Sequence, residues 1–170
     1  MRLKAPVLVA LAAVLLALVA TAPASAAARD DLRTDVLRLI NAERSARGLR
    51  ALRLSPALSR AAKAHARDMA ARGYFSHTSP EGSTSADRAR RAGYRTARYR
   101  SWRVAEVLAW GMRLKGTPEA VLDGWMHSPY HRGVILGRAW RDVGVACVEG
   151  RFRGAGGSFL YTVDVGRRTR

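Results

Sequence analysis

An internal disulfide needs two cysteines, and this chain of 170 residues has one, Cys147. The limit matters because the N-terminus carries the marks of export. Arg2 and Lys4 give a basic start, Val7 to Ala20 is an unbroken apolar run, and Ala24-Ser25-Ala26 offers a small-x-small cleavage site. The pattern predicts a secretory signal peptide over residues 1–26 and a secreted, extracellular mature protein. The apolar run is shorter than the roughly 20 residues of a spanning helix, so no permanent membrane span is expected after cleavage. An uncleaved signal anchor is the alternative. No cysteine lies near the cleavage site, which gives no sign of a lipoprotein anchor. An exported chain with a single thiol has to fold on packing alone. Cleavage after Ala26 leaves 144 residues, one domain's length and enough to bury about two-thirds of the unfolded surface. Residues 27–34 read as a short lead-in and 35–168 as the domain.

The pattern places helices first and strands last. Asp31 to Arg47 has Leu32, Val36, Leu39 and Ile40 on one face, with Gly48 placed to stop it. Ser55-Pro56 predicts a second helix, capped by the serine and opened by the proline. It runs to about Arg72, with Gly73 as the residue just past its end. Ser83 or Thr84 can cap a short third helix ending at Gly93. Tyr94 to Arg103 is basic, aromatic and aperiodic, and reads as an exposed loop. Thr117-Pro118-Glu119 opens a further helix that yields at Ser128-Pro129. Arg141 to Val148 and Ser158 to Val165 alternate as strands, joined across the glycine-rich GRFRGAGG. Cys147 falls in line with Val143 and Val145. A small buried hydrophobe is one reading of it and an intermolecular bridge the other. Helices followed by a strand pair indicate an α+β fold class.

Removing Arg2 and Lys4 leaves 28 Lys+Arg against 13 Asp+Glu, a net charge of +15. The arginines are scattered rather than striped, and no nucleic-acid-binding motif accompanies them, so no specific nucleic acid is expected as a partner. For an exported chain the anionic candidates are envelope polymers and lipid head groups. A merely solvated charge set by arginine-rich composition is the competing explanation. The sequence does not specify an oligomeric state.

Four histidines are available. His65 lies on the apolar stripe of the second helix, which suits a hydrogen-bonded core residue. His127 ends a helix, where a cation is mildly favourable. His77 and His131 each sit beside a Ser-Pro element at a helix edge, in FSHTSP and HSPYHR. Among the acids, Glu106 stands apart within WRVAEVLAWG, among Val104, Ala105, Val107, Leu108 and Trp110. A carboxylate in such surroundings needs a partner. A histidine suits it; so would an arginine or backbone amides. No G-x-S-x-G elbow, H-E-x-x-H pair, P-loop or dinucleotide fingerprint is present.

These segments together resemble the CAP superfamily, the SCP-like extracellular domains, in its bacterial secreted form. The resemblance rests on A-x-x-H-A-x-D-M-A in the second helix, the FSHTSP loop, W-x-x-S-P-x-H-R-x-x-I-L and the closing V-G-V strand, in that order over about Asp35 to Gly166. It implies an α-β-α sandwich with a central antiparallel sheet and one open cleft, and so a third strand within Arg103 to Trp110. It also implies that His77, Glu106 and His131 gather in the cleft. The sequence departs from the family's G-E-N-x-A-x-G at Ala105 and Val107. The second acidic residue after the tryptophan matched by Trp125 has no counterpart, and Ser128 stands there.

Such a trio has three readings. His77 and His131 could bind zinc or another divalent metal, with Glu106 as ligand or base for bound water. The three could form a metal-free catalytic set in which Glu106 orients a histidine. They could also be a structural cluster. The expected function is a metal-capable extracellular binding or envelope-interaction module, with a metal-assisted or His/Glu-dependent hydrolase as the alternative.

Overall fold

The computed structural model describes residues 24–152 and 154–170. Residues 1–23 of the predicted signal peptide lie outside them. Helix α1 spans Ala24–Ser45 and therefore takes in the expected lead-in. A two-residue strand β1, Arg53–Leu54, precedes α2, Pro56–Arg72, and α3, Ser85–Arg91. Strand β2 is Ser101–Met112; a 3-10 turn, Arg113–Gly116, leads to α4, Pro118–His127, and α5, Pro129–Ile135. Strands β3, Asp142–Phe152, and β4, Ala155–Thr169, close the chain. The caps act as the sequence predicts. Ser55 accepts from the Leu58 amide, and Thr117 from that of Ala120. Thr84 forms a reciprocal capping box with Asp87. Gly73 ends α2 at φ 70°, a left-handed turn that glycine takes without steric cost.

The sheet order is β1-β3-β4-β2. The three long strands are antiparallel, and β1 adds a short parallel edge to β3. Alternation along the strands sorts their side chains to two faces. On one, Val107, Val143, Val145, Cys147, Tyr161, Val163 and Val165 pack under Val36 and Ile40 of α1, Val121, Leu122 and Trp125 of α4, and Ile135 of α5. On the other, smaller clusters pair Met69 with Leu108 and Leu160, Leu58 with Ala89 and Tyr94, and Ala62 and Ala66 with Ala146. The result is the expected α-β-α sandwich. Cys147 is 6% exposed within the first core, which fits the small-hydrophobe reading.

Two expectations change. Tyr94 is fully buried, donates to Asp142 Oδ2 at 2.8 Å, and meets Trp102 edge-on at 6.4 Å. The stretch read as an exposed loop is thus anchored at its start and becomes β2 at Ser101. Arginines between the aromatics mask that alternation in the sequence. The strands β3 and β4 also continue through the glycine-rich stretch, pairing Phe152 with Ala155. Phe152 holds that hairpin down, buried against Phe75 and Trp110.

A buried arginine joins α1 to the far end of α5. Arg44 donates to the carbonyls of Arg50 at 2.9 Å, Ile135 at 2.6 Å and Gly137 at 3.1 Å. The layers approach closely at Gly144, where a Cβ would overlap the backbone of Leu58 and Ser59. Gly144→Ala should therefore push the first turn of α2 off the sheet. It is expected to cost about 2–3 kcal/mol, read as a lower urea midpoint; an unchanged midpoint would show that α2 yields freely.

Candidate functional site

Glu106 lies on the α2-facing side of β2, directly opposite Asp164 of β4, which in turn faces Gly144 of β3. The absent side chain at Gly144 lets α2 settle against the sheet, and α2 brings His65 over Glu106. Glu106 is only 3% exposed. Its Oε1 accepts from His77 Nδ1 at 2.8 Å, and its Oε2 accepts from Arg88 Nη2 at 2.7 Å. His65 Nε2 lies 3.9 Å from Oε1.

Each partner is held by its own local structure. Arg88 projects from α3, is itself buried, and also donates to the carbonyls of Ser83 at 2.8 Å and His77 at 3.0 Å. One guanidinium thus ties the FSHTSPEG loop to the sheet at both ends. The loop turns on itself through Ser79, whose amide donates to Ser83 O and whose Oγ accepts from the Ser83 amide. His65 donates from Nε2 to Ser76 O at 2.8 Å. Burial lowers its pKa, partly opposed by the Glu106 charge, so the ring is a neutral core histidine. Tyr74 Oη donates to Asp68 beside it, at 2.5 Å.

His77 differs in exposure: its side chain is 47% accessible. Donation from Nδ1 to Glu106 fixes the ring's orientation, and in the neutral form leaves Nε2 as the lone-pair nitrogen. His131, one residue beyond the N-terminal Pro129-Tyr130 of α5, lies close enough to His77 for the charges on the two rings to interact. Burial and then His77 lower its pKa. The stability that neutral His131 supplies is complete above its ordinary value near 6.5 and is lost as pH falls through the folded value. His131 also lines an apolar cavity of about 260 Å³ walled by Phe75, Leu108, Trp110 and Trp125, with Lys115 at its edge. The structure thus places Glu106 and His77 in direct contact, with His131 on α5 near enough to feel the charge of His77. His127 stays apart, exposed, its Nδ1 donating to Asp123 O at 2.9 Å.

Two members of the cluster were not singled out from the sequence. Arg88 is one of three arginines in SADRARR, and only its place beside the buried Ala89 distinguishes it. Asp164 sits between Val163 and Val165, so the alternation that buries those valines sends it to the opposite, covered face. That signal was present in YTVDVG. Asp164 is fully buried, and neither carboxyl oxygen has a hydrogen-bond partner among the described residues. Burial, and then the negative charge of Glu106, push its pKa well above the carboxylate range, with Arg88 acting against them. Among the described residues no group of three or more His, Cys, Asp or Glu side chains is arranged to hold a metal ion.

Asp164 gives a pH test. Its folded pKa is raised above the unfolded value near 3.9, so its contribution to stability is complete below that pH. The contribution is lost as pH rises toward the folded pKa, by up to about 1.4 kcal/mol per unit. Asp164→Asn removes the ionisation. Urea midpoints from pH 4 to 8 should show the variant gaining on the wild type as pH rises; parallel curves would mean that Asp164 is ionised in the fold.

Comparison with known proteins agrees with this architecture. The family described as CAP, the cysteine-rich secretory protein family, matches residues 37–164. YkwD of Bacillus subtilis (strain 168) is 36% identical over 131 residues, covering 76% of this chain and 46% of that protein. An extracellular protein containing an SCP domain from Bacillus anthracis superposes with a TM-score of 0.66 at 25% identity, covering 82% of this chain and 41% of its own. An outer surface protein from Borrelia burgdorferi shares the fold at a TM-score of 0.66 and 19% identity, over 81% and 93% of the two chains. The chain thus spans less than half of YkwD and of the Bacillus anthracis protein. No helix among the described residues is long and apolar enough to cross a membrane. With the sandwich, the family match and the order of its motifs in agreement, the chain belongs to the CAP family of cysteine-rich secretory proteins.

Proposed function

We propose that the protein is an extracellular binding module of the cell envelope, with His77 and His131 presenting a ligand-facing edge. The observation that carries this reading is the engagement of both Glu106 oxygens, one by His77 and one by Arg88. A carboxylate so committed orients an imidazole rather than serving as a free general base. That supports an imidazole fixed to face a ligand, in the binding reading as in the hydrolase alternative. The apolar cavity beside His131 supports a ligand with an apolar part and a polar group that reaches the imidazoles.

The donor set also suits a divalent metal such as zinc. His77 offers Nε2 while its Nδ1–H is held by a carboxylate, an arrangement that orients metal-binding histidines. His131 is kept neutral, as a nitrogen ligand must be. Two imidazoles leave the remaining positions to water or to oxygen atoms of the bound ligand, and Glu106 acts as a positioning residue.

Metal content after zinc supplementation and gel filtration tests the metal part. The wild type is expected to retain about one equivalent, and His77→Ala and His131→Ala to lose it. Glu106→Gln should weaken retention by about 10- to 100-fold. A wild-type protein that holds no zinc under these conditions overturns the ligand role. Turnover of peptide, ester or glycan substrates that depends on His77 would replace the binding reading with the hydrolase.

A further inference from the structure

We propose a phosphate-binding site at the Ser101/Thr169 end of the sheet, on the face opposite Glu106, built on Arg103 and Arg167 and fitted to a phosphodiester polymer. It rests on the envelope-interaction reading above and names the surface and the group recognised. Arg103 of β2 and Arg167 of β4 are direct cross-strand partners, as are Ser101 and Thr169 one pair further on. Like charges directly opposite on an antiparallel ladder are destabilising. Among the described residues neither arginine forms an ion pair with an acid. The neighbouring Arg168 points to the other face and shows what a structural arginine looks like here. It pairs with Asp142 at 3.4 Å and stacks over Tyr94 and Tyr99 at 4.5 and 4.6 Å.

Between the two unpaired arginines lies a hollow of about 320 Å³, lined by Ser101, Trp102, Arg103, Arg167 and Thr169. The Ser101 and Thr169 hydroxyls touch each other at its edge. Two guanidinium forks with two rotatable hydroxyls match the oxygens of a phosphate group. Arg100, whose amide donates to Thr169 O, and Arg170 flank this end of the sheet, both exposed. A single phosphate would engage the central pair, whereas a chain of phosphates can follow the outer arginines as well. Among the large exposed apolar side chains, Trp110, Met112 and Leu114 lie further along the chain from Arg103, about 23 Å away or more along the strand for Trp110, and Leu54 stands singly on β1, level with Ala105. Charge without an apolar patch beside it favours a soluble polymer over a membrane surface.

The test is binding of the purified protein to poly(glycerol phosphate) across a salt series, beside polyglutamate of equal charge and phosphatidylglycerol vesicles. R103Q/R167Q should weaken polymer binding by about 10-fold or more and reduce the salt slope by about one to two. The control R67Q/R151Q changes the charge equally at exposed positions elsewhere and should shift affinity less than about 2-fold. The thermal midpoint of R103Q/R167Q should hold or rise, since a like-charge pair is relieved. If it falls, the single variant R103Q should still show a site-specific loss against R67Q. Equal losses in the two double variants, or equal affinity for polyglutamate, overturn the phosphate site and leave the envelope reading standing. Binding to vesicles but not to the polymer also overturns it. A wild type that binds none of the three overturns both.

Discussion

A carboxylate buried as deeply as Glu106 has to be compensated, and the means of its compensation organises one side of the sheet. Arg88 comes from α3, His77 from the loop before it, and His65 from α2. Only α3 directly precedes β2 in the chain; the loop and α2 lie further back. Each is drawn to the same strand position because leaving a buried charge unpaired costs several kcal/mol. Arg88 repeats the effect on the backbone, since the carbonyls of Ser83 and His77 are bonded by the same guanidinium that meets Glu106. The exposed imidazole of His77 is thereby held by a buried framework rather than by the loop alone.

The two faces of the sheet divide the work. The face under α1, α4 and α5 is continuous and apolar, with Trp125 at its centre and its indole N–H bonded to Leu108 O. The face under α2 and α3 is broken into small clusters of alanine, leucine and aromatic residues, and the charged group sits in the gap between them. A domain without disulfides relies on the first face for stability, which leaves the second free to carry costly polar groups.

The helices, their caps and the final strand pair are legible in the sequence because each rests on local chemistry: Ser55-Pro56, Thr84 with Asp87, Thr117-Pro118, and the alternation of valines after Asp142. Glu106 and the two loop histidines stand out for similar reasons, a charge amid apolar residues and rings beside rigid turns. Strand β2 is harder to see. Only the family resemblance locates it, since Arg103 and Glu106 interrupt its apolar pattern. Arg88 is hidden because nothing local separates it from Arg90 and Arg91; its role comes from a partner 18 positions away. Asp164 was readable from strand periodicity, but its significance depends on the register that sets it against Glu106.

The lone thiol has a consequence for behaviour under oxidising conditions. In oxidising surroundings an accessible cysteine exchanges with small disulfides and with other copies of itself. Cys147 lies beneath the α1 and α4 layer beside Tyr161, so an attacking sulfur would have to part the main core to reach it. The folded molecule should keep one covalent form in reducing and oxidising media alike, and the shielding comes entirely from packing.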